Sequence, residues 1–208
     1  MELTIIGTGK MARAIGLRSL AAGHSLTLLG TDKSKADRLG PELGADVRTG
    51  TSGEDPLTGD VVILAIPYPA AAAVVKGNRN QLAGKVVIDI TNPIDYATFD
   101  ITTPGGTSGA EEIAKMATGA RVVKAFNTTF ASTLVSGQVA GLPLDVLIAS
   151  DDEEAKSKVK ELVESFGLRA VDVGPLRRAR QLEQAGLLHM VVQQSLGTGY
   201  GSALKFIS

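Results

Sequence analysis

Residues 3–17 read Leu-Thr-Ile-Ile-Gly-Thr-Gly-Lys-Met-Ala-Arg-Ala-Ile-Gly-Leu, an apolar strand that enters a glycine-rich turn and then an apolar helical segment. The turn has the spacing G-x-G-x-x-A that begins dinucleotide-binding βα units. Gly7 permits the tight turn, Gly9 lets the backbone approach a pyrophosphate, and Ala12 lets the helix pack closely on the strand. The free N–H groups and the dipole of the helix start favour a negatively charged group. We therefore predict a dinucleotide phosphate site at residues 7–12, and the alternative is an ordinary βα turn.

The composition is typical of a globular protein and excludes several classes of function. The chain has 208 residues, of which 44% are hydrophobic and 21% charged, and its net charge is −1. This length suits one large domain, or one domain with a small appendage. Interleaved charges offer no basic field for nucleic acid or anionic lipid, and no apolar run approaches the roughly 20 residues of a membrane span. No leader segment is recognisable. We expect a cytoplasmic protein with no nucleic-acid partner and no membrane association.

Metal and thiol chemistry have few possible ligands in this chain. It contains no cysteine and two histidines, His24 and His189, which are far apart in sequence. Disulfides and thiolate ligands are therefore excluded, and a histidine metal site or a Ser-His-Asp triad is difficult to build. We expect no bound metal. His189 lies in an apolar helical segment, where it is either a hydrogen-bonded, partly buried side chain or a residue that faces a substrate.

Strand and helix patterns alternate along the whole chain. Near-continuous apolar runs, typical of parallel strands buried on both faces, occur at 60–67, 85–90, 121–126 and 144–150. We also predict a short strand at 44–47, a long loop at 94–109, an amphipathic helix after residue 151 and one long helix over 177–196. The predicted fold is α/β, a doubly wound parallel sheet with a small C-terminal helical extension. We divide it into a dinucleotide-binding domain, residues 1–150, and a C-terminal strand–helix part, residues 151–208.

The ends of the predicted strands indicate where a ligand binds. Ligands of doubly wound sheets bind outside the carboxyl ends of the strands. These ends are predicted at 7–11, 30–33, 66–68, 91–93, 126–129 and 174–176. All except the first two carry a proline or a cluster of amides and hydroxyls, which fits a ligand that lies across the sheet edge.

The end of the second strand indicates which dinucleotide binds. NAD-selective sites usually have an acidic residue there, but this chain has Gly30. Thr31 can donate a hydrogen bond, and Lys33, with Lys35 or Arg38, can supply positive charge to a 2′-phosphate. These residues favour NADP(H). Asp32 would oppose a phosphate or bind a 2′-hydroxyl if its side chain pointed inward.

Several motifs occur in an order that resembles one family. They are Gly-Thr-Gly-Lys-Met-Ala at 7–12, Ala-Ile-Pro-Tyr at 65–68, Thr-Asn-Pro at 91–93, Lys-Ala-Phe-Asn-Thr at 124–128 and Gly-Pro-Leu-Arg-Arg-Ala-Arg at 174–180. The chain resembles, over essentially its full length, the NADP-dependent coenzyme F420 reductases. This family is also similar to the cytosolic reductase domain of membrane ferric reductases.

The resemblance implies a Rossmann domain that binds NADP(H), with the nicotinamide near residues 65–67 and 92–93. It also implies a flavin or deazaflavin pocket completed by the C-terminal part. By position, Phe126, Asn127, Thr128 and the turn at 174–176 would contact the acceptor. Archaeal members have histidine where this chain has Asn127, and the Phe-Asn-Thr form is closer to flavin-using relatives. The acceptor therefore stays open among F420, FMN and FAD.

Hydride transfer between two rings requires little acid–base chemistry from a protein, which has to position the rings and exclude water. On this premise we expect no catalytic acid or base, with Asn92 binding the nicotinamide carboxamide or ribose, and Asn127 and Thr128 holding the acceptor. The chain lacks the Tyr-x-x-x-Lys pair of many carbonyl reductases. We predict an NADP(H)-dependent oxidoreductase that transfers hydride to a flavin or deazaflavin. The alternatives are an NADP(H)-binding redox sensor without turnover and a small carbonyl or imine reductase.

The predicted cofactor-binding residues are Gly7, Thr8, Gly9, Lys10, Met11, Ala12, Thr31, Lys33, Arg38, Ala65, Ile66, Pro67, Tyr68, Asn92, Pro93, Phe126, Asn127, Gly174, Pro175 and Leu176. The apolar run at 187–192 favours a homodimer, although packing on the sheet would also explain it. Arg177, Arg178 and Arg180 form a basic cluster that would bind a phosphate or an acidic acceptor tail, or lie on a solvated or inter-subunit face.

Overall fold

A computed structural model describes residues 1–207 and shows an α/β architecture. The strands are β1 (Glu2–Ile6), β2 (Ser25–Gly30), β3 (Arg48–Thr51), β4 (Val61–Leu64), β5 (Val86–Asp89), β6 (Ile94–Asp95), β7 (Asp100–Ile101), β8 (Arg121–Lys124), β9 (Gln138–Val139), β10 (Leu142–Pro143), β11 (Asp145–Ile148) and β12 (Arg169–Asp172). The helices are α1 (Lys10–Ala21), α2 (Lys33–Leu43), α3 (Tyr68–Gly77), α4 (Arg79–Leu82), α5 (Gly109–Met116), α6 (Ala131–Ser136), α7 (Glu153–Ser165), α8 (Ala179–Val191) and α9 (Gln193–Leu196).

Six strands form the central sheet, in the order β3-β2-β1-β4-β5-β8, and every neighbouring pair is parallel. This order and direction confirm the doubly wound fold. The chain reverses its direction of winding between β1 and β4, so that a crevice opens beyond the carboxyl ends of these two strands. The candidate site lies there.

Each face of the sheet has its own hydrophobic core. Alternate residues of β4 show the division. Val61 and Ile63 belong to the core that also contains residues of α1, α2 and α7, whereas Val62 and Leu64 belong to the core that contains residues of α3 and α5. The side chains of β4 and β5 are buried on both faces, which explains why these strands appear in the sequence as continuous apolar runs. The two cores hold the carboxyl ends of the strands at fixed positions.

The last two long strands run against the direction of the central sheet. β11 and β12 are parallel to each other, and an antiparallel bridge between Lys124 and Ala149 joins them to β8. The carboxyl end of β12 therefore points away from the crevice. The prediction that residues 174–176 lie at the same edge as the other strand ends is wrong for this reason.

Other boundaries also differ from the predictions. The short strand is at Arg48–Thr51 instead of 44–47, because residues 44–46 form the turn after α2. The loop at 94–109 contains the β6–β7 hairpin. The single helix over 177–196 is instead a 3-10 turn at Leu176–Arg178, followed by α8 and α9, and Gly197 ends α9 in the left-handed conformation with φ of 62°. No helix within residues 1–207 has both the length and the apolar character needed to cross a bilayer.

The C-terminal segment returns from α9 to β11, where Asp145 binds it. The carboxylate of Asp145 accepts hydrogen bonds from Lys205 Nζ at 2.8 Å, from the backbone N–H of Phe206 at 2.9 Å and from Arg169 Nε at 2.8 Å. Burial alone would raise the pKa of this carboxyl, but these donors outweigh it and lower the pKa from 3.8 to about 2.

Replacing Asp145 by asparagine is expected to lower the free energy of unfolding at pH 7 by about 2 kcal/mol. Because the pKa is lower in the folded state, this stabilisation is fully present above about pH 4 and is lost as the pH falls to about 2. Urea denaturation at several pH values measures the effect, and the difference between wild type and D145N should shrink towards acid pH. The exposed Asp46 provides the control D46N. A difference that is independent of pH would contradict the prediction.

Candidate functional site

The turn after β1 has the geometry that its glycines predict. Gly7 has φ of +130°, and a Cβ on it would lie 2.1 Å from the carbonyl oxygen of Ala65. A Cβ on Gly9 would meet nothing within 4 Å, so this residue faces open space in front of the turn. Gly9 is the N-cap residue of α1, and no side chain caps the first N–H groups of this helix. The first N–H groups of α1 are therefore available to a ligand at the crevice.

A cleft of about 470 Å³ lies at the carboxyl ends of β1, β4, β5 and β8. Its walls also include the start of α6, the end of α8 and the C-terminal segment. The lining residues are Gly9, Lys10, Met11, Ala65, Ile66, Pro67, Tyr68, Ile90, Thr91, Asn92, Tyr96, Phe126, Asn127, Thr129, Phe130, Ala131, Met190 and Tyr200. None of these described residues is Asp, Glu or His. The cleft thus offers aromatic, apolar and amide groups and one cationic side chain, Lys10.

Two asparagines at the floor of the cleft bind each other. Asn92 Nδ2 donates to the Asn127 carbonyl at 2.9 Å, and Asn127 Nδ2 donates to Asn92 Oδ1 at 2.9 Å and to the Leu182 carbonyl at 2.8 Å. Gly186 of α8 packs on this pair, and a Cβ there would lie 3.1 Å from Asn92 Oδ1. These contacts fix the ends of β5 and β8 relative to α8.

Two residues that line this cleft each have a buried oxygen with no hydrogen-bond partner within the described chain, Asn127 Oδ1 and Thr91 Oγ1. An unsatisfied buried polar atom costs about 1–3 kcal/mol, so such atoms are usually paired with water or ligand. An amide-bearing ring such as nicotinamide would supply donors here. The residues of the cleft therefore fit a nicotinamide dinucleotide, with open space at Gly9 for its phosphates.

Aromatic side chains form the wall opposite the glycine turn. Phe130 packs on His189 with ring centroids 4.2 Å apart, and Tyr200 meets Phe130 edge-on at 5.0 Å. His189 is buried and hydrogen-bonded at both ring nitrogens, to the Thr128 carbonyl at 3.1 Å and to Ser202 Oγ at 2.8 Å. Burial lowers the pKa of His189. His189 is therefore a hydrogen-bonded, buried side chain that supports this wall, which was the first of the two interpretations of this residue.

Phe126, in the loop after β8, has a strained backbone conformation. Phe126 is fully buried and has φ of 59°, a conformation that residues other than Gly, Asn and Asp rarely adopt. Its carbonyl accepts hydrogen bonds from the backbone N–H and the hydroxyl of Thr129. Strained residues of this kind cost about 1–3 kcal/mol and often occur at functional sites.

A buried ionic cluster lies directly behind the cleft. Lys124 Nζ donates to Asp89 Oδ2 at 2.8 Å, to Glu183 Oε1 at 2.8 Å and to the Thr91 carbonyl at 2.5 Å. All three charged side chains are at least 98% buried. Burial alone would lower the pKa of Lys124, but the two carboxylates outweigh it and raise that pKa. We call Lys124, Asp89 and Glu183 the buried charge cluster.

Tyr68 lines the cleft and lies near Glu183 of the buried charge cluster. Its ring packs on Gly109, the first residue of α5, where a Cβ would lie 2.9 Å from the ring and 3.2 Å from Glu183 Oε1. Burial raises the pKa of the Tyr68 hydroxyl, and the carboxylates of Glu112, Glu183 and Asp89 raise it further. The hydroxyl therefore stays protonated at neutral pH and can donate a hydrogen bond.

A smaller cavity of about 290 Å³ lies on the other side of the glycine turn. It is lined by Thr8, Lys35, Arg38, Leu39 and Glu42. An acidic residue at position 30 is sterically excluded, because a Cβ on Gly30 would lie 2.6 Å from the Asp32 carbonyl oxygen. This cavity has two cations where a 2′-phosphate would bind.

The structure corrects the predicted cation set. Lys33 does not line this cavity, because its ammonium pairs with Asp37 four residues later at 2.8 Å. Lys35 takes the place predicted for Lys33. Thr31 is exposed and also outside the cavity. Asp32 caps α2 by accepting from the Ser34 N–H at 2.9 Å, so its carboxylate is occupied at the helix start.

Half of the predicted cofactor residues lie together in the main cleft: Gly9, Lys10, Met11, Ala65, Ile66, Pro67, Tyr68, Asn92, Phe126 and Asn127. Thr8 and Arg38 line the smaller cavity. Gly7, Ala12, Pro93 and Thr128 do not line the cleft; the first two shape the turn, and Thr128 contributes a carbonyl to His189. Gly174, Pro175 and Leu176 are outside it, because β12 runs antiparallel to the central strands and ends away from their carboxyl edge.

Several lining residues were not among the predicted cofactor residues: Ile90, Thr91, Tyr96, Thr129, Phe130, Ala131, Met190 and Tyr200. Of these, Thr91 and Thr129 lie within the ligand-binding strand ends predicted at 91–93 and 126–129. Met190 and Tyr200 reach the cleft only through the path of α8 and the C-terminal segment, which no local pattern indicates. Neither Arg177 nor Arg178 lines the cleft, and Arg180 pairs with Glu111 at 2.6 Å.

Within residues 1–207, no three His, Asp or Glu side chains converge in a group that could hold a metal ion.

Comparisons with known proteins agree with this geometry. The family profile described as NADP oxidoreductase coenzyme F420-dependent matches residues 2–93. The F420-dependent NADP reductase of Methanothermobacter thermautotrophicus is 31% identical over 205 residues, which covers 88% of this chain and 85% of that protein. Rat metalloreductase STEAP3 is 31% identical over 182 residues, but the match spans only 36% of its length.

A solved structure extends the agreement to the whole chain. A protein of Arthrobacter sp. FB24, provisionally described as an F420-dependent NADP-reductase, superposes with a TM-score of 0.90 at 25% identity over 99% of both chains. The similarity to the Methanothermobacter reductase covers most of both sequences, and the residues matched by the family profile include the glycine turn. The chain therefore belongs to the family of coenzyme F420-dependent NADP oxidoreductases.

Proposed function

We propose that this protein binds NADP(H) across the carboxyl edge of its sheet and transfers hydride between the nicotinamide and a planar deazaflavin acceptor of the F420 type. The observation that carries the proposal is the single cleft that joins the open glycine turn, two unpartnered amide and hydroxyl oxygens and an aromatic wall. The relatives named for F420 and NADP support the same assignment.

The phosphates would bind at the start of α1. Gly9 leaves room for them, and the uncapped N–H groups and Lys10 supply positive potential. Ala65, Ile66 and Pro67 would support the nicotinamide ring, and Asn127 Oδ1 and Thr91 Oγ1 would accept hydrogen bonds from its carboxamide. Asn92 would hold Asn127 in place through their mutual hydrogen bonds.

NADP(H) is preferred over NAD(H) because Lys35 and Arg38 line the cavity beside Thr8. Replacing both by alanine is expected to raise the Kd for NADPH about 10- to 100-fold, since each lost charge-assisted hydrogen bond contributes roughly 1.5–3 kcal/mol before screening by solvent. The Kd for NADH should change less than about twofold. Fluorescence titration with both nucleotides measures this, and K33A, whose ammonium pairs with Asp37, is the control. Equal weakening for both nucleotides would contradict the assignment.

The acceptor would lie between the nicotinamide and the aromatic wall. Bound NADPH supplies the hydride, so that the protein has to hold two rings face to face and exclude water. The absence of Asp, Glu and His among the described lining residues suits this reaction, which needs no proton donor beside a developing alkoxide. FMN and FAD present a similar ring and are alternative acceptors.

We also propose that the part after residue 150 completes the acceptor pocket, because Met190 and Tyr200 line the cleft. The earlier part would hold the dinucleotide.

The exposed apolar side chains Leu188, Val191 and Leu196, which are 63%, 49% and 55% exposed, support a homodimer that would cover them. A cytoplasmic location fits the use of NADPH. Sedimentation at several concentrations tests the homodimer.

An anaerobic acceptor screen tests the proposed function. The purified protein is mixed with NADPH and, in separate reactions, with F420, FMN, FAD, a ferric chelate, a ketone or an imine. We expect NADPH oxidation with F420 and a slower reaction with the flavins. Oxidation with the ketone or the imine alone would indicate a carbonyl or imine reductase. Tight NADPH binding without oxidation in any reaction would indicate a redox sensor.

A further inference from the structure

We propose that the buried charge cluster makes the cleft prefer the oxidised nicotinamide, so that it favours hydride donation by NADPH. This inference depends on the proposed function and adds the direction of hydride transfer. It assigns to Glu183, Asp89 and Lys124 an electrostatic role in addition to their structural one.

The cluster carries a net negative charge. Lys124 supplies one positive charge to two carboxylates, and every hydrogen bond that these carboxylates receive comes from an N–H donor. Asp89 accepts from the Thr91 N–H and Lys124, and Glu183 accepts from Lys124 and from the N–H groups of Gly109 and Ala110. All four carboxyl oxygens accept and none donates, which is the geometry of two carboxylates that share one ammonium, with a formal sum of one negative charge.

Part of this charge is offset by α5. Gly109 and Ala110 are the first residues of this helix, whose N-terminus is equivalent to roughly half a positive charge. A residual negative potential of about half a charge therefore remains. It is poorly screened, because the three side chains are excluded from solvent.

The potential reaches the cleft at the place where the ring would lie. Lys124 binds the carbonyl of Thr91, and Thr91 lines the cleft. Glu183 lies behind the ring of Tyr68, which lines the same cleft. Lys10 and the start of α1 supply positive potential to the same cleft, and the phosphates that would bind there offset it with their own negative charge. These groups are the same in wild type and in the variants below, so they do not contribute to the change in the ratio of the two affinities.

NADP⁺ and NADPH differ by one positive charge on the nicotinamide ring. When hydride leaves the ring with its electron pair, the ring gains this charge and the acceptor ring is reduced. A negative potential behind the cleft stabilises the product of this step. For a separation on the order of 10 Å and an effective dielectric constant of about 20, one unit of charge changes the ratio of the two affinities by about tenfold.

The test measures the dissociation constants of NADP⁺ and NADPH, without turnover, for wild type and two isosteric variants. Glu183→Gln and Asp89→Asn each remove one negative charge at a different place in the cluster. Both should raise the ratio Kd(NADP⁺)/Kd(NADPH) by about tenfold. The matched control is Glu164→Gln, which removes the same charge from an exposed position of α7, where Glu164 pairs with Lys160. This control should leave the ratio unchanged.

The outcomes separate an electrostatic role from a structural one. A variant that only loosens the cleft weakens both nucleotides by the same factor, and such a result would overturn the inference. Thermal melting shows whether each variant is folded, and wild type itself should bind NADP⁺ more tightly than NADPH. A wild-type preference for NADPH would also overturn it. If wild type bound neither nucleotide, the proposed function would fail and this inference with it.

Discussion

Replacement of Lys124 by methionine is expected to lower the free energy of unfolding by about 3–5 kcal/mol. The substitution leaves Asp89 and Glu183 buried without their shared cation, and an uncompensated buried charge is far more costly than an exposed one. Urea denaturation measures the change. It should be accompanied by weaker packing of α8, because the Lys124–Glu183 contact joins α8 to the sheet edge.

Lys115→Met is the matched control, since this lysine pairs with Glu112 while 68% of its side chain is exposed. It should cost less than about 1 kcal/mol. Adding E183Q to K124M should recover part of the lost stability, because it removes one of the two uncompensated carboxylates. If K124M and K115M unfolded at the same urea concentration, the cluster would not have the stabilising role that its burial indicates.

Replacement of Asn127 by leucine is expected to lower kcat/KM for NADPH-dependent reduction of the acceptor by about 100-fold. The variant loses the hydrogen bonds to Asn92 and Leu182 and the unpartnered amide oxygen of a residue that lines the cleft. A displacement of about 1 Å between reacting rings is enough to produce an effect of this size. Steady-state kinetics under anaerobic conditions measure it.

Asn78 provides a closely matched control for Asn127. It is also a buried asparagine with an unpartnered Oδ1, and its Nδ2 binds Ser52 and the Val74 carbonyl away from the cleft. Asn78→Leu should destabilise the fold to a similar degree but leave kcat/KM within about threefold of wild type. Equal losses of activity in the two variants would show that Asn127 acts through stability alone.

The sequence patterns predicted the sheet well, because each depends on local physics. The apolar runs of β4 and β5 indicate strands buried on both faces, and Asp152 precedes α7 as its N-cap, accepting from the Ala155 N–H. The direction of β11 and β12 was not predictable, because an apolar run has the same appearance in either direction. The misplaced turn at 174–176 follows from this.

The charged residues show a different limit. Lys33 and Lys35 are equally basic in the sequence, but only Lys33 has an aspartate four residues later on the helix to pair with. Lys124 resembles a solvated lysine at a strand end until Glu183, 59 residues further along the chain, is brought beside it. Tyr200 lines the cleft, and its carbonyl accepts a hydrogen bond from Ser132, 68 residues earlier in the chain. Each of these depends on long-range packing.

Transfer of a hydrogen isotope tests the central claim most directly. The protein is mixed anaerobically with F420 and NADPH that carries deuterium at the transferring position of nicotinamide C4, and the reduced F420 is analysed by mass spectrometry. Direct transfer within the cleft predicts that the deuterium appears in the reduced deazaflavin in an amount equal to the NADPH consumed. NADPH that stays unoxidised, or deuterium that is absent from the reduced acceptor, would contradict it.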